Sequence, residues 1–332
     1  MSSQPLPAAS ADSVPVVTHG SSAPPAPRTH RPARLRSRRS PGLPYLLLIP
    51  SVAILLLALG YPVVWQVLTS LKKFGLAQQF GKPAAWVGLG NYVALAKDPY
   101  LWTVVGRSLV FCLVNALATL LIGMLVALLM KAVPGWARIS VQVSMLLAWA
   151  MPVITAMAVW RWLFDYRRGV VNYLLTQLGL DYVGHSWLES PLSFFFVATV
   201  IIVWASVPFV AFSAYAGLTQ VPGDVLEAAQ IDGAGSLGRF RWIILPMIRP
   251  VLSIVLLLQI IWDLRVFAQI RLLQDAGGTP SQTNLLGTYI YQLGIGSGDF
   301  GKASAVSIFV LLLTIALSWF YVRRLLTDEA QA

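Results

Sequence analysis

The chain has 332 residues, of which 57% are hydrophobic and 11% charged, with a formal net charge of +11. Soluble domains carry about 25% charged residues, so this composition excludes an ordinary water-soluble enzyme, and its apolar content excludes a chain that stays unfolded throughout. The basic balance admits a nucleic-acid binder until the placement of the charge is read.

Residues 1–43 are rich in Pro, Ser and Ala and carry Arg28, Arg31, Arg34, Arg36, Arg38 and Arg39 against the single acid Asp12. Such a segment has too few apolar residues to bury a core, so it is expected to be a disordered cytoplasmic tail. Its arginines stand just before the first apolar run, where they act as a topology signal. An arm for nucleic acid or acidic lipid is the alternative. The apolar run that follows is longer than the ~7–15 residues of a signal-peptide core.

A helix needs ~20 apolar residues to cross a ~30 Å hydrocarbon core. Six stretches qualify: residues 45–70, 103–130, 139–164, 191–218, 245–272 and 303–325. Their Leu, Val and Ala runs lack the period-2 alternation of a membrane barrel, and lipid leaves no other way to satisfy backbone polar groups. The expected fold is all-α, a six-helix membrane domain over residues 44–325 with a short cytoplasmic tail at 326–332. Cys112 is the one cysteine and lies in the second stretch, so no intrachain disulfide forms. His19, His30 and His185 have no metal-ligand spacing, and no metal site is expected.

Charge counting orients the spans weakly. With the N-terminus inside, 13 of the 24 Lys and Arg lie inside, six of them in the tail. The flanks of the first span dominate, so both termini are expected in the cytoplasm.

The joint between the fourth and fifth spans differs from the others. Asp224 is placed to cap a short helix, Gly233 and Gly235 to end it, and Ser236 to cap a second. Pro246 and Pro250 follow inside the fifth span, where proline tends to kink a helix. The pattern predicts a helix–turn–helix at the membrane surface, either a handle for another protein or a plain interfacial connector.

The fifth span holds Gln259, Asp263, Arg265 and Gln269. Gln259 and Asp263 are four residues apart and share a face near Trp262. Intramembrane polar groups are costly, about 2.5–3.5 kcal/mol for a central Asp or Arg, so they mark function or pairing. Pairing of Asp263 and Arg265 with a neighbouring subunit is the alternative to a substrate role. The aromatics Trp160, Trp162 and Tyr166 fit an interfacial belt, with a sugar platform as the alternative.

The residues Glu227-Ala228-Ala229-x-x-Asp232-Gly233-Ala234, with Phe240, Ile243, Leu245-Pro246 and Pro250, resemble the EAA loop of binding-protein-dependent ABC importers. Other segments are similar to the maltose-type permease that comes first of a pair. They are Val87-Gly88-Leu89-x-Asn91-Tyr92, Gly169-x-x-Asn172, Trp204-x-x-x-Pro208-Phe209 and Ala216-Gly217-Leu218. Gly277-Gly278 with Thr283, Tyr289-x-Tyr291 and Gly301-x-Ala303 complete the set, and the resemblance covers residues 44–325.

The resemblance implies a type I permease fold with no catalytic residues. It makes residues 222–246 a cytoplasmic coupling loop seated in a separate ATPase, which alone would hold ATP and Mg. Glu227, Ala228, Ala229, Asp232, Gly233, Ala234, Phe240, Leu245 and Pro246 would carry coupling; Asp232 has the alternative of capping the turn. The implied partners are a second homologous permease, two copies of the ATP-binding subunit, an extracytoplasmic sugar-binding protein, a di- or oligosaccharide and membrane lipid. Substrate contacts carried over by offset fall at Ser206, Phe209, Gln259, Trp262 and Asp263. Two departures leave the sugar open: Ala268 follows Phe267 where the family often has an acid, and the wording before Gly277 strays from its pattern.

Residues 296–303 nearly spell a phosphate-binding loop, but Ala303 lacks the hydroxyl for Mg and no buried strand precedes them. The rival functions are an ion-gradient transporter, an intramembrane enzyme and a membrane-anchored nucleic-acid binder. The first wants acidic relays and visible repeats, and only Asp263 is available. The second wants paired catalytic groups, which the spans lack.

Overall fold

The structure is a computed structural model, and it describes residues 43–329, with side chains described over 48–323. The basic tail therefore lies outside the described residues. The chain divides into two units, Met1–Ile54 and Leu55–Ala332. Of the first, helix α1 (Leu43–Leu55) is described, with Pro50 inside it.

The second unit opens with a π-helical turn (Leu56–Gly60) and α2 (Tyr61–Ser70). A two-residue ribbon follows, β1 (Lys72–Lys73) pairing antiparallel with β2 (Ala85–Trp86), with Lys72 opposite Trp86. Short helices α3 (Leu76–Gln79) and α4 (Gly90–Ala96) flank β2.

Helix α5 (Pro99–Ala132) starts where the Asp98 carboxylate accepts the Tyr100 N–H at 2.9 Å, with Pro99 in the first turn. Both features suit a helix start, because the first N–H groups lack partners and proline has none to lose. Its 34 residues reach about 50 Å. Helices α6 (Gly135–Ala150) and α7 (Val153–Leu163) follow, then α8 (Val170–Gln177), α9 (Pro191–Thr219), α10 (Gly223–Ile231) and α11 (Ser236–Arg239). A π-helical turn (Phe240–Ile244) leads into α12 (Leu245–Leu264), which is followed by α13 (Ala268–Asp275), α14 (Pro280–Thr283) and α15 (Leu286–Tyr291). A last π-helical turn (Gln292–Gly296) precedes α16 (Phe300–Glu329).

Among the described residues five helical stretches are long and apolar enough to cross a membrane: Leu48–Ser70, Pro99–Ala132, Pro191–Thr219, Ser236–Asp275 and Phe300–Arg323. The third expected span is not one rod. Helices α6 and α7 meet at a bend of 102°, so the count reaches six only if this broken pair is one crossing. The cause is Pro152, which has no N–H to give and drives Met151 into an extended conformation (φ −69°, ψ 126°). The fifth expected span, drawn to residue 272, has its own interruption, since α12 stops at Leu264 and α13 resumes at Ala268. Helix α16 runs past residue 325 to Glu329.

Helix α5 lies along α9, and α12 rests on both, while α16 packs on α2, α4 and α12. Small residues set the α5–α9 approach. A Cβ on Gly123 would stand 2.6 Å from a Val210 methyl, so only glycine fits the present spacing. Three apolar clusters fill the unit. One, at the end nearest α10, joins Met124, Ala127, Ala214, Leu218, Val221 and Ile248. The other two lie towards the opposite end, around Phe194, Ile201 and Ile270 and around Val104, Leu286 and Val306.

Candidate functional site

The residues of the EAA pattern form a helix–turn–helix, α10 to α11, as expected. The expected caps are not those that form. The residue before α10 is Pro222, and Asp224 sits within its first turn without capping it, while Gly235 precedes α11 and Ser236 is already helical. Asp224 still lies beside unpaired N–H groups, where a negative charge is favoured.

The turn itself is a Schellman motif. The Ala234 N–H donates to the Ala229 carbonyl at 2.9 Å and the Gly233 N–H to the Gln230 carbonyl at 3.1 Å. Asp232 ends the helix (φ −70°, ψ 1°), and Gly233 takes φ +85°. That sign of φ strains any residue with a Cβ. Asp232 occupies the C-cap position, and its own N–H donates to the Ala228 carbonyl at 3.0 Å.

Leu226 and Phe240 pack against the cluster of Met124, Leu218 and Ile248, which seats the turn on the bundle. The opposite face is open. Glu227, Ala228, Asp232 and Gly233 are exposed, and Ala229 and Ala234 are half-buried. Beside them Ile231 is 87% exposed, Leu237 79% and Trp242 74%, a large apolar outlay for a polar loop. These three were missed by the motif, although an isoleucine and a leucine bracketing a Gly-rich turn are the signal that finds them. Leu245 and Pro246 are exposed at the start of α12.

The five pathway residues divide into two sets. Phe209 on α9 and Trp262 on α12 meet edge to face, with ring centroids 5.0 Å apart, and Ser206 is half-buried one turn before Phe209. Trp262 is 45% exposed. Gln259 and Asp263 instead are buried. Gln259 Nε2 donates to Asp263 Oδ1 at 2.9 Å, which fulfils the expectation that they share a face. Cys112 Sγ on α5 stands 3.5 Å from the Ile260 carbonyl of α12. Gln259 Oε1 and Asp263 Oδ2 find no hydrogen-bond partner, and the same holds for Asn115 Oδ1 and Thr119 Oγ1 on α5. Among the described residues no ion pair joins Asp263 to Arg265, which is exposed at the end of α12.

The remaining motifs hold the end of the bundle away from the EAA turn. Asn91 Nδ2 donates to the carbonyls of Ser70 at 2.8 Å and Lys72 at 2.9 Å, and the Tyr92 and Ser70 hydroxyls share a 2.7 Å bond. Gly301 lies so close to this joint that a Cβ would come within 2.5 Å of the Lys72 carbonyl. Asn172 Nδ2 donates to the His185 carbonyl at 2.9 Å, and its Oδ1 accepts from Trp187 Nε1 at 2.6 Å. Gly169 is required because a Cβ would stand 2.3 Å from the Asp165 carbonyl oxygen. Asp165 Oδ1 accepts the N–H groups of Arg168 at 2.8 Å and Arg167 at 2.9 Å, and these bonds hold its carboxyl below the usual carboxylate range. Gln274 Nε2 donates to Thr283 Oγ1 and Asn284 Oδ1, both at 3.1 Å. Asn91, Tyr92, Gly169, Asn172, Thr283 and Gly301 thus stitch loops to helix ends.

The near-match to a phosphate loop has a different structure. A π-helical turn precedes it, and Lys302 is held to Asp299 by a 3.2 Å ion pair and a backbone bond to the same carboxylate. A strand–loop–helix cradle is absent from these residues.

A bundle of apolar helices with a glycine-locked EAA turn at one end has the build of a membrane transport component. Residues 119–323 match the family described as binding-protein-dependent transport system inner membrane component, and the chain belongs to it. It is 38% identical over 298 residues to the diacetylchitobiose uptake system permease protein DasB of Streptomyces coelicolor, covering 90% of each chain. It is 32% identical over 295 residues to the trehalose/maltose transport system permease protein MalF of Thermococcus litoralis, covering 87% of this chain and 96% of that one. Among solved structures it resembles a chain of a bacterial alginate ABC transporter in complex with an alginate pentasaccharide-bound periplasmic protein. That match has a TM-score of 0.71 at 23% identity over 84% of this chain and 92% of the other, a likeness of fold. The chain is therefore a multi-pass membrane permease of the ABC importer class.

Proposed function

We propose that the chain is one permease subunit of an ATP-driven, binding-protein-dependent importer of di- or oligosaccharides. The observation that carries this reading is the exposed helix–turn–helix, held rigid by the Gly233 Schellman turn and seated on the bundle through Leu226 and Phe240. The sugars for which the two relatives are named support the substrate class. Nothing observed favours an ion-gradient carrier.

The complete importer holds this chain, a second homologous permease, two copies of an ATP-binding subunit and an extracytoplasmic sugar-binding protein. Both termini and the EAA turn face the cytoplasm of a bacterial cell. Glu227 and Asp232 meet the ATPase through charge-assisted contacts, and Ile231 and Leu237 fill an apolar cleft on it. Ala228 and Ala229 let the partner approach closely. ATP and Mg belong to the ATPase, and this chain contributes no catalytic residue.

The work is alternating access. ATP and the loaded binding protein shift the permease only by binding one conformation more tightly than the other. Closure of the ATPases moves the turn, and the turn moves α12 because the helical path runs unbroken from α11 into it. Sugar passes along Ser206, Phe209 and Trp262, with aromatic faces for its C–H groups, while Gln259 and Asp263 present their unpartnered oxygens when α12 and α5 separate. The test is vesicle uptake by the reconstituted importer. Uptake of a disaccharide that requires ATP and the binding protein supports the reading, and uptake driven by a proton gradient without ATP overturns it.

A further inference from the structure

At the end of the bundle away from the EAA turn, the end of α7, the loop before α9 and Ala276 line a half-open cavity of about 370 Å³. Arg161, Trp162, Asp165, Tyr166, Ser186 and Trp187 line it. Helix α9 separates it from the EAA turn by about 44 Å, its 29 residues rising 1.5 Å each. The volume lies within the ~300–1,000 Å³ of small-molecule sites.

Its walls are fixed rather than loose. Trp187 is held by its bond to Asn172, stacks on Tyr182 at 5.4 Å and meets Phe164 edge-on at 5.5 Å. The Asp165 carboxylate is aimed by the two backbone N–H groups on Oδ1, which leaves Oδ2 to accept from a ligand. The Arg161 guanidinium has no hydrogen bond or ion pair among the described residues. Trp162 and Tyr166 are 55% and 45% exposed. Trp160, the third aromatic of the sequence stretch, behaves differently: it packs against Phe164 and Trp204 and does not line the cavity.

This combination discriminates among ligands. A carboxylate and a guanidinium lining one cavity accept from and donate to the hydroxyls of a sugar, and five N–H donors in a planar fork suit vicinal pairs. Tryptophan and tyrosine faces take the C–H patches of a pyranose ring, the same amphipathic role these rings serve elsewhere. An acyl chain would bury the Arg161 guanidinium and the free Oδ2 of Asp165 without new partners, which is costly. An anion would meet the Asp165 carboxylate.

We propose that this cavity is a capture subsite for a neutral saccharide of one or two rings, at the outer mouth of the permease and separate from the Phe209–Trp262 pair. The proposal rests on the reading of the chain as a sugar permease. Saccharide released by the binding protein stacks on Trp162 and Tyr166 and is held by Arg161 and Asp165 before it moves inward.

The test uses the reconstituted importer in nanodiscs with trehalose, maltose and diacetylchitobiose as probes, read by saturation-transfer NMR without the binding protein and by ATP-driven uptake with it. W162A and R161Q are expected to weaken probe binding about tenfold or more. They are expected to raise the KM for uptake while leaving ATPase stimulation by the saturating binding protein unchanged. Tyr166→Phe keeps the ring and is expected to retain binding, and unchanged melting temperatures exclude unfolding as the cause. Unaltered probe binding in W162A and R161Q overturns the subsite while the sugar reading stands. Loss of binding-protein association with saccharide binding retained makes the cavity a docking surface and also overturns it. A wild-type importer that carries none of the saccharides overturns the sugar reading, and the subsite with it.

Discussion

Arg239 in α11 reaches back to Gln230 in α10, its Nη1 donating to the Gln230 Oε1 at 2.8 Å. The bond ties the two limbs of the EAA turn together across the Gly233 corner. An exposed pair of this kind contributes little to stability by itself. Its effect is to hold the angle at which α10 meets a partner, on top of the two backbone bonds of the Schellman turn.

Gly233→Val isolates the corner. Nothing lies within 4 Å of a Cβ built there, so the variant meets no clash and suffers only from φ +85°. A left-handed conformation costs a residue with a Cβ about 1–2 kcal/mol. ATP-driven uptake is expected to fall more than about tenfold, with normal insertion into the membrane. Gly235→Ala is the matched control, since Gly235 has open space and φ −66°; its uptake is expected to stay near wild type.

Gly123→Val tests the α5–α9 seam. The added side chain meets Val210 at 2.6–2.7 Å and the Ala211 backbone nitrogen at 3.2 Å. Overfilling a packed interface costs about 1–3 kcal/mol. A lower melting temperature of the detergent-solubilised protein is the expected result, read by intrinsic fluorescence.

Asn172→Ala removes the anchor of the loop before α9. The Trp187 indole N–H loses its buried acceptor and the His185 carbonyl its donor. The buried indole N–H left unpaired costs about 1–3 kcal/mol, whereas His185 is exposed to solvent. Faster proteolysis between α8 and α9 is expected, with the remaining helices intact on a gel.

Trp262→Ala removes half of the ring pair with Phe209. Aromatic pairs of this geometry contribute about 0.5–1.5 kcal/mol beyond their buried area. The variant is expected to insert normally and to lose sugar uptake, while ATP hydrolysis by the complex persists. Gln259→Leu differs, because it strips Asp263 of its side-chain hydrogen bond inside the bundle. Reduced thermal stability is expected there together with reduced uptake.

The spans and the EAA turn were legible in the sequence because both are local. Twenty apolar residues in a row need no knowledge of neighbours, and neither does a glycine placed where a helix must reverse. The caps were misread because Asp224 and Ser236 each sit one or two residues inside the helices they were expected to start, a shift set by where Pro222 and Gly235 turn the chain. The bend at Pro152 was written in the sequence too, but a proline in an apolar run reads as a modest kink; its size depends on what α6 and α7 pack against. Long-range placement was not legible at all. Gln259 and Asp263 are buried and bond to each other while Trp262, on the same helix, turns towards Phe209. Spacing along one helix fixes relative angles and leaves open which neighbour each angle faces.

The break between α6 and α7 has a mechanical consequence. Sixteen and eleven residues give rods of about 24 and 16 Å, each shorter than a ~30 Å hydrocarbon core. Helix α6 leans on α5 and α9, whereas α7 leans on α8 and α13. No continuous ladder of backbone bonds crosses Pro152, so a tilt imposed on one rod is not passed stiffly to the other. The α6–α7 pair therefore acts as an elbow. One forearm can swing with α5 and α9 while the other keeps Arg161 and its surrounding loops in register with α8 and α13.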